Sequence, residues 1–187
     1  MFIQTEATPN PATLKFIPGK PVLPGSTREY RKAADALESP LAEKLFGING
    51  VSGVFLGHDF VTVTKGAGDW QHLKPAILGT IMDHYLSDAP MLAGEAALVE
   101  QAGGEEFFAD EHSDLVKTIK ELLDSRVRPA VAQDGGDITF KGFKEGIVYL
   151  NMKGSCSGCP SSTATLKHGI ENLLRHFVPE VSEVRPV

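Results

Sequence analysis

The hydrophobic and polar positions in the first half of the chain predict a small α+β domain over residues 1–87. Four short segments alternate apolar with polar residues or are rich in β-branched residues, as strands are: 2–5, 13–17, 51–56 and 60–64. Two segments with apolar residues at helical spacing predict helices over 41–46, after Ser39-Pro40, and from Asp69 or Trp70 to about Leu86. Prolines and glycines between residues 18 and 25 predict a loop.

The second domain is predicted over residues 111–187, with the element order α-β-β-α-β. Its first helix has apolar residues on one face from Leu115 to Val127, and we expect it to end near Arg126 and Arg128. A turn at 134–137 should lead into an antiparallel hairpin of strands at 138–141 and 147–152. A helix opening at 160–162 and a short strand at 181–184 complete the domain.

The composition changes between these two domains. Residues 88–110 are dominated by alanine, glycine and acidic residues, and the stretch 88–111 has seven acidic residues and no lysine or arginine. This composition is typical of a flexible linker. We therefore expect an α+β protein of two small α/β-sandwich domains joined by an acidic linker.

The charge balance narrows the possible partners. The net charge is −6 over 187 residues, and because the linker region carries most of it, neither domain is strongly basic. We therefore expect no nucleic-acid partner, and no membrane partner, because no apolar run approaches the ~20 residues of a membrane span. The first residues show neither a secretory nor a transit signature, so we expect a bacterial cytoplasm or, with a leader removed, a mitochondrial matrix.

The only two cysteines of the chain, Cys156 and Cys159, are three positions apart in Gly154-Ser155-Cys156-Ser157-Gly158-Cys159-Pro160. Two thiolates are half of the four that an iron–sulfur cluster or a structural zinc usually takes. Because the chain has no third cysteine, a second copy would supply the other two ligands. The glycines would relieve backbone restrictions, and the helix beginning at Pro160 would favour the thiolate form.

Three alternatives to a cluster remain open at this point. The thiols could be incidental core residues, a redox pair that exchanges disulfides, or half of a zinc site that bridges two chains. The six histidines are not spaced as additional ligands. Asp134 and Asp137 resemble an acid–base pair, but Gly135-Gly136 between them favours two turn residues.

Several motifs of the sequence resemble the Nfu-type iron–sulfur proteins, whose C-terminal domain is that of NifU. In the second domain they are Arg128-Pro129, Gln133-Asp134-Gly135-Gly136-Asp137, Gly154-Ser155-Cys156, Cys159-Pro160-Ser161-Ser162, Thr165-Leu166-Lys167 and Gly169-Ile170-Glu171. In the first domain they are Met1–Thr5, Thr8-Pro9-Asn10-Pro11, Leu14–Gly19, Ser39–Ala42 and Phe60–Lys65. Only the linker lacks such a match, and both cysteines occupy the motif positions.

The resemblance implies a scaffold or carrier of iron–sulfur clusters and not an enzyme. It implies a [4Fe–4S] cluster that bridges two subunits, with Cys156 and Cys159 of each chain as its ligands. The partners it implies are a second copy, upstream assembly proteins and apo iron–sulfur target enzymes. The thiol-free first domain is then expected to dock partners, an inference by elimination.

Overall fold

The chain, described here from a computed structural model, divides into two compact units over residues 1–101 and 102–187. The structure describes residues 1–94, 106–157 and 160–187, the last range without the side chains of residues 160–162. Both units combine helices with a sheet, so the predicted α+β class is confirmed.

The N-terminal domain is built on a five-stranded antiparallel sheet. Its strands are β1 (Gln4–Ala7), β2 (Thr13–Ile17), β3 (Arg28–Tyr30), β4 (Val51–Leu56) and β5 (Val61–Lys65). They lie in the order β1-β2-β5-β4-β3, and every neighbouring pair is antiparallel. A 3-10 turn over Ala33–Glu38 precedes helix α1 (Pro40–Phe46), and helix α2 (Trp70–Leu86) follows the last strand.

The two helices form because their sequences cap and bury one face each. The Ser39 hydroxyl accepts the N–H of Ala42 at 3.2 Å, and Pro40 occupies the first helical turn, where a missing N–H costs nothing. Leu73, Ile77 and Ile81 of α2 are four residues apart and all buried. They share one core with residues of the sheet.

The sequence patterns missed β3 and displaced β1. The first strand runs over Gln4–Ala7 and not over 2–5. β3 lies in a segment with no predicted element, because three residues are too few to show a period. The strand is held by contacts with other parts of the domain. Tyr30 pairs with Val54 of β4, and its hydroxyl donates to the Glu38 carboxylate at 2.8 Å.

The C-terminal domain packs helices against a three-stranded sheet. Its helices are α3 (Ser113–Leu122), α4 (Arg128–Gln133) and α5 (Pro160–Phe177). Its strands are β6 (Gly136–Lys144), β7 (Ile147–Gly154) and β8 (Glu183–Pro186). β6 and β7 form the predicted antiparallel hairpin, and β8 is parallel to β7, with α5 as the crossover between them.

The first helix of this domain does not end where the sequence predicted. After α3 the chain makes a π-helical turn over Leu123–Val127 and continues as α4. Pro129 is tolerated because it lies in the first turn of α4. The stripe of buried residues also continues through Val127 and Val131. Packing against the core therefore favours a helix that continues past Arg126 and Arg128, where the charge pattern had predicted its end.

Both described ends of the range predicted as linker belong to a packed domain. The N–H of Ala93 donates to the carbonyl of Glu38 at 2.7 Å in the N-terminal domain. In the C-terminal domain, Phe107 bonds to the edge of β6, accepting the N–H of Phe143 at 2.8 Å, and Phe108 packs on the core. Residues 95–105, at the centre of the predicted linker, lie outside the described residues.

Candidate metal centre

Cys156 lies in the loop between β7 and α5, at the end of the hairpin where β6 begins. Gly136, the first residue of β6, pairs with Gly154, the last residue of β7, and Cys156 follows two residues later. Cys159, the second predicted ligand, lies outside the described residues together with Gly158. The sequence places Cys159 directly before Pro160, where α5 begins as predicted.

Gly154 turns the chain out of β7 and into this loop. Its φ of +66° is in the left-handed region that favours glycine, because a side chain there meets its own backbone. The turn is closed by the N–H of Ser157, which donates to the carbonyl of Gly154 at 3.1 Å. The conformational role predicted for Gly154 is therefore confirmed.

Hydrogen bonds hold the cysteine loop from both sides. On one side, Ser155 donates its N–H to the carbonyl of Gly135 at 3.2 Å and its hydroxyl to the carbonyl of Asp134. On the other, the hydroxyl of Thr163, in the first turns of α5, donates to the carbonyl of Cys156 at 3.1 Å. The loop is thus attached to the turn before β6 and to the start of α5.

The side chain of Cys156 points inward. Only 6% of the residue is exposed, and it belongs to the hydrophobic core of the domain. Its sulfur lies against Gly136, where a Cβ added to the glycine would stand 2.5 Å from Sγ and 2.8 Å from the carbonyl oxygen of Lys153. No real Cβ approaches other atoms so closely, so only glycine at position 136 permits this placement of the sulfur.

A partly buried ion pair holds the start of β6 beside the cysteine loop. Arg128 donates from Nε to Oδ1 of Asp137 at 2.9 Å and from Nη2 to Oδ2 at 3.0 Å, the bidentate geometry of the strongest arginine–carboxylate pairs. Oδ1 also accepts the N–H of Ile138 at 2.8 Å. The hydrogen bonds to Asp137 raise the pKa of Arg128 above its ordinary value, against the opposing effect of burial.

The interpretation of Asp137 as a turn residue is therefore wrong. Asp137 is the second residue of β6, and its carboxylate is committed to Arg128 and is only 6% exposed. Asp134 does lie in the turn, with an exposed side chain. The two carboxylates thus have different environments, and the buried one serves as a structural anchor.

The histidines and the remaining acidic residues add no visible metal ligands. His168 and His176 are exposed on α5, whereas His84 is fully buried in the other domain. Within residues 1–94, 106–157 and 160–187, no three histidine, cysteine or acidic side chains form a group that suits a metal ion. In the same ranges, no helix has the length and apolar character to cross a membrane.

Sequence patterns identified the cysteines but missed the residues that hold them. Gly136, Arg128, Asp137 and Thr163 show no periodicity or ligand spacing that indicates their roles. The first three lie in motifs that carry the family resemblance, which marks their positions without their contacts. Arg128 and Asp137 are nine residues apart on different elements, so only the fold shows that they form a pair.

Family models match both domains of the chain. The model described as "Scaffold protein Nfu/NifU N terminal" matches residues 3–88, and the model described as "NifU-like domain" matches residues 119–185. The second match includes Gly136 and both cysteines. Each match falls within one of the two compact units.

Curated relatives match along the whole chain. The NFU1 iron-sulfur cluster scaffold homolog, mitochondrial, of Homo sapiens is 52% identical over 189 residues, which cover all of this chain and 72% of that protein. NifU-like protein 4, mitochondrial, of Arabidopsis thaliana is 50% identical over 98% of this chain and 65% of its own length. The Drosophila erecta NFU1 homolog is 47% identical over all of this chain and 65% of its own length.

These matches define the class of the protein as a two-domain protein with an Nfu-type N-terminal domain and a NifU-like C-terminal domain. The chain belongs to the Nfu/NifU family of iron–sulfur cluster scaffold proteins. It spans about two thirds to three quarters of the length of these relatives.

Proposed function

We propose that this protein binds a [4Fe–4S] cluster between two copies of the chain and transfers it to apo-proteins during iron–sulfur cluster assembly. Cys156 and Cys159 of each copy are the four ligands. The cluster is cargo, and the proposal includes no catalytic turnover. The observation that carries it is the anchored loop that holds Cys156 between the β6–β7 hairpin and α5, in a domain that matches the NifU-like model.

The number of ligands argues for two copies. A [4Fe–4S] cluster takes four thiolates, and the whole sequence has two cysteines. The described residues offer no group of other side chains to complete the set. A second copy of the same loop supplies two identical thiolates, and a symmetric dimer is the commonest way for one chain to complete such a site.

Shared ligation also suits transfer. Thiolates exchange at an accessible cluster when a new thiolate replaces an old one, and a cluster held by two chains can lose the ligands of one chain at a time. The proposed donors to this protein are upstream assembly proteins, and the proposed acceptors are apo iron–sulfur target enzymes. The N-terminal domain, which has no cysteine, is proposed to dock these partners.

The names of the relatives support an iron–sulfur cluster as the cargo and bear on the cellular compartment of this chain. The human and Drosophila proteins are named iron-sulfur cluster scaffold homologs, and the human, plant and Drosophila proteins are all named mitochondrial. We propose a reducing compartment for this chain, in which thiolates stay available. Of a mitochondrial matrix and a bacterial cytoplasm, these names favour the matrix.

Anaerobic reconstitution with iron and sulfide tests the function directly. The full chain should take up about four irons and four sulfides per two copies and sediment as a dimer. Cys156→Ser and Cys159→Ser should each lose the cluster and the cluster-dependent dimer while the fold remains. His168→Ala is the matched control, since it changes an exposed potential ligand on α5 and should keep the full iron content.

Two results would refute the proposal. One zinc ion per two copies without sulfide would indicate a zinc-bridged interaction protein. Rapid reduction of disulfide substrates by iron-free protein, lost in both cysteine variants, would indicate a thiol–disulfide oxidoreductase.

A further inference from the structure

We infer that Gly136 is a positioning residue for Cys156: its missing side chain lets the Cys156 sulfur retract into the domain core in the metal-free chain. The loop over residues 154–157 must then open before this sulfur can join a cluster between two copies. The inference rests on the proposed function, because it assumes that Cys156 is a ligand of the cluster. Its test needs neither iron nor sulfide.

The first step of the argument is steric. A ligand shared with a second chain has to face that chain, yet only 6% of Cys156 is exposed. The surrounding core is formed by buried apolar side chains of the helices and the sheet. A sulfur in this position behaves as a small core side chain and cannot contact a metal centre that lies between two copies.

The second step concerns what permits the retraction. The space occupied by the sulfur is the space that a side chain at position 136 would fill, since the added Cβ would lie 2.5 Å from Sγ. Gly136 itself is held in place by its pairing with Gly154 and by the Arg128–Asp137 ion pair at the next residue. Gly136 therefore cannot move aside without disturbing the start of β6, so the sulfur is the partner that has to yield to an added side chain.

The third step concerns what opening requires. The bonds across the loop include those from Ser155 to the turn before β6 and from Thr163 to the carbonyl of Cys156. Opening breaks these bonds, and Gly154, with its positive φ, is a place where the chain can rotate. Opening of this one loop is a local event, of the kind that proteins undergo without global unfolding.

The alkylation rate of Cys156 in metal-free full chain measures the retraction. In a Cys159→Ser background, iodoacetamide can modify only Cys156, because no other cysteine is present. We expect the native protein to react at least about tenfold more slowly than the same protein in urea, as a thiol that reacts only after local opening does. Equal rates in the native and the unfolded protein would overturn the inference.

Gly136→Ala tests the positioning role. The added methyl should expel the sulfur, so the native alkylation rate should rise several-fold toward the rate in urea. Gly142→Ala is the matched control on the same strand, because its methyl would meet the ring of Phe107 and not the cysteine. A folded Gly136→Ala variant with an unchanged rate, or an equal rise in Gly142→Ala, would contradict the assignment.

A double-mutant cycle covers the case in which Gly136→Ala is too unstable to study. If the clash is with Sγ, then Gly136→Ala should lower the Tm less in a Cys156→Ala chain than in a Cys156 chain. The difference should be about 4 °C or more, as expected for coupling between contacting residues in a domain of this size. Folding of Gly136→Ala only in the Cys156→Ala background would support the same conclusion.

Equal losses of Tm in the two backgrounds, or failure to fold in both, would assign the clash to the Lys153 carbonyl and overturn the inference. These outcomes are independent of the proposed function. A chain that takes up no cluster can still show the retracted thiol, and a chain that loads normally can still show a fully reactive one.

Discussion

Replacing Arg128 with leucine should destabilise the C-terminal domain far more than the loss of an ordinary surface ion pair. The change leaves the carboxylate of Asp137, 6% exposed, with the N–H of Ile138 and without the bidentate guanidinium. Removing one partner of a fully buried pair typically costs about 3–5 kcal/mol. Since Arg128 itself is 32% exposed, water can enter on its side, and we expect about 2–3 kcal/mol.

Replacing Asp137 should cost less stability than replacing Arg128. Asp137→Asn removes the negative charge and leaves a guanidinium that is still bonded to Asp124 at 3.1 Å and partly open to water. We therefore expect about 1–2 kcal/mol for Asp137→Asn. The double variant Arg128→Leu with Asp137→Asn should be more stable than Arg128→Leu alone, because it no longer buries a negative charge that has lost its guanidinium.

Urea unfolding of the full chain, followed by far-UV circular dichroism, measures these free energies. Trp70 is the only tryptophan and belongs to the N-terminal domain, so its fluorescence should show that the N-terminal transition is unchanged. Arg175→Leu is the matched control, because Arg175 is 53% exposed and Glu171 keeps the N–H of Val184 without it; the change should cost under about 0.5 kcal/mol. If Arg128→Leu costs no more than Arg175→Leu, or if the double variant is the least stable, the reasoning is refuted.

Two further predictions concern the N-terminal domain and use Trp70 fluorescence as the probe. His84 is fully buried, and its ring nitrogens have no hydrogen-bond partner in the described structure. Burial lowers its pKa, and the positive charge of Lys44 lowers it further. In the unfolded chain this histidine takes up a proton at the ordinary pKa of about 6.5, so the free energy of unfolding should fall as the pH drops below that value. His84→Leu should reduce this fall. Identical pH profiles of the two proteins would show that another group is responsible. Ser39→Ala removes the cap that accepts the N–H of Ala42 and should cost about 1 kcal/mol, whereas Ser39→Thr, which keeps a capping hydroxyl, should cost less. Equal losses in the two variants would show that the cap is irrelevant.

Much of the fold could be predicted from local sequence. The helix over Trp70–Leu86 and the strands Thr13–Ile17 and Val51–Leu56 were predicted with the bounds they have, because each is long enough to show its period or is flanked by clear turn residues. Short elements were not predictable in this way. The strand Arg28–Tyr30 exists because β4 and Glu38 hold it, and no local pattern encodes those contacts.

By itself, the sequence determined the two α+β domains and the cysteine pair, and it led to the proposal of a second chain, because periodicity and the number of thiols are local or countable properties. Only the tertiary structure decided that Asp137 is buried against Arg128 and that the Cys156 sulfur occupies the space left by Gly136. Both contacts join residues that are distant in sequence. Their geometry depends on how β6, β7 and α4 pack, and no spacing along the chain specifies it.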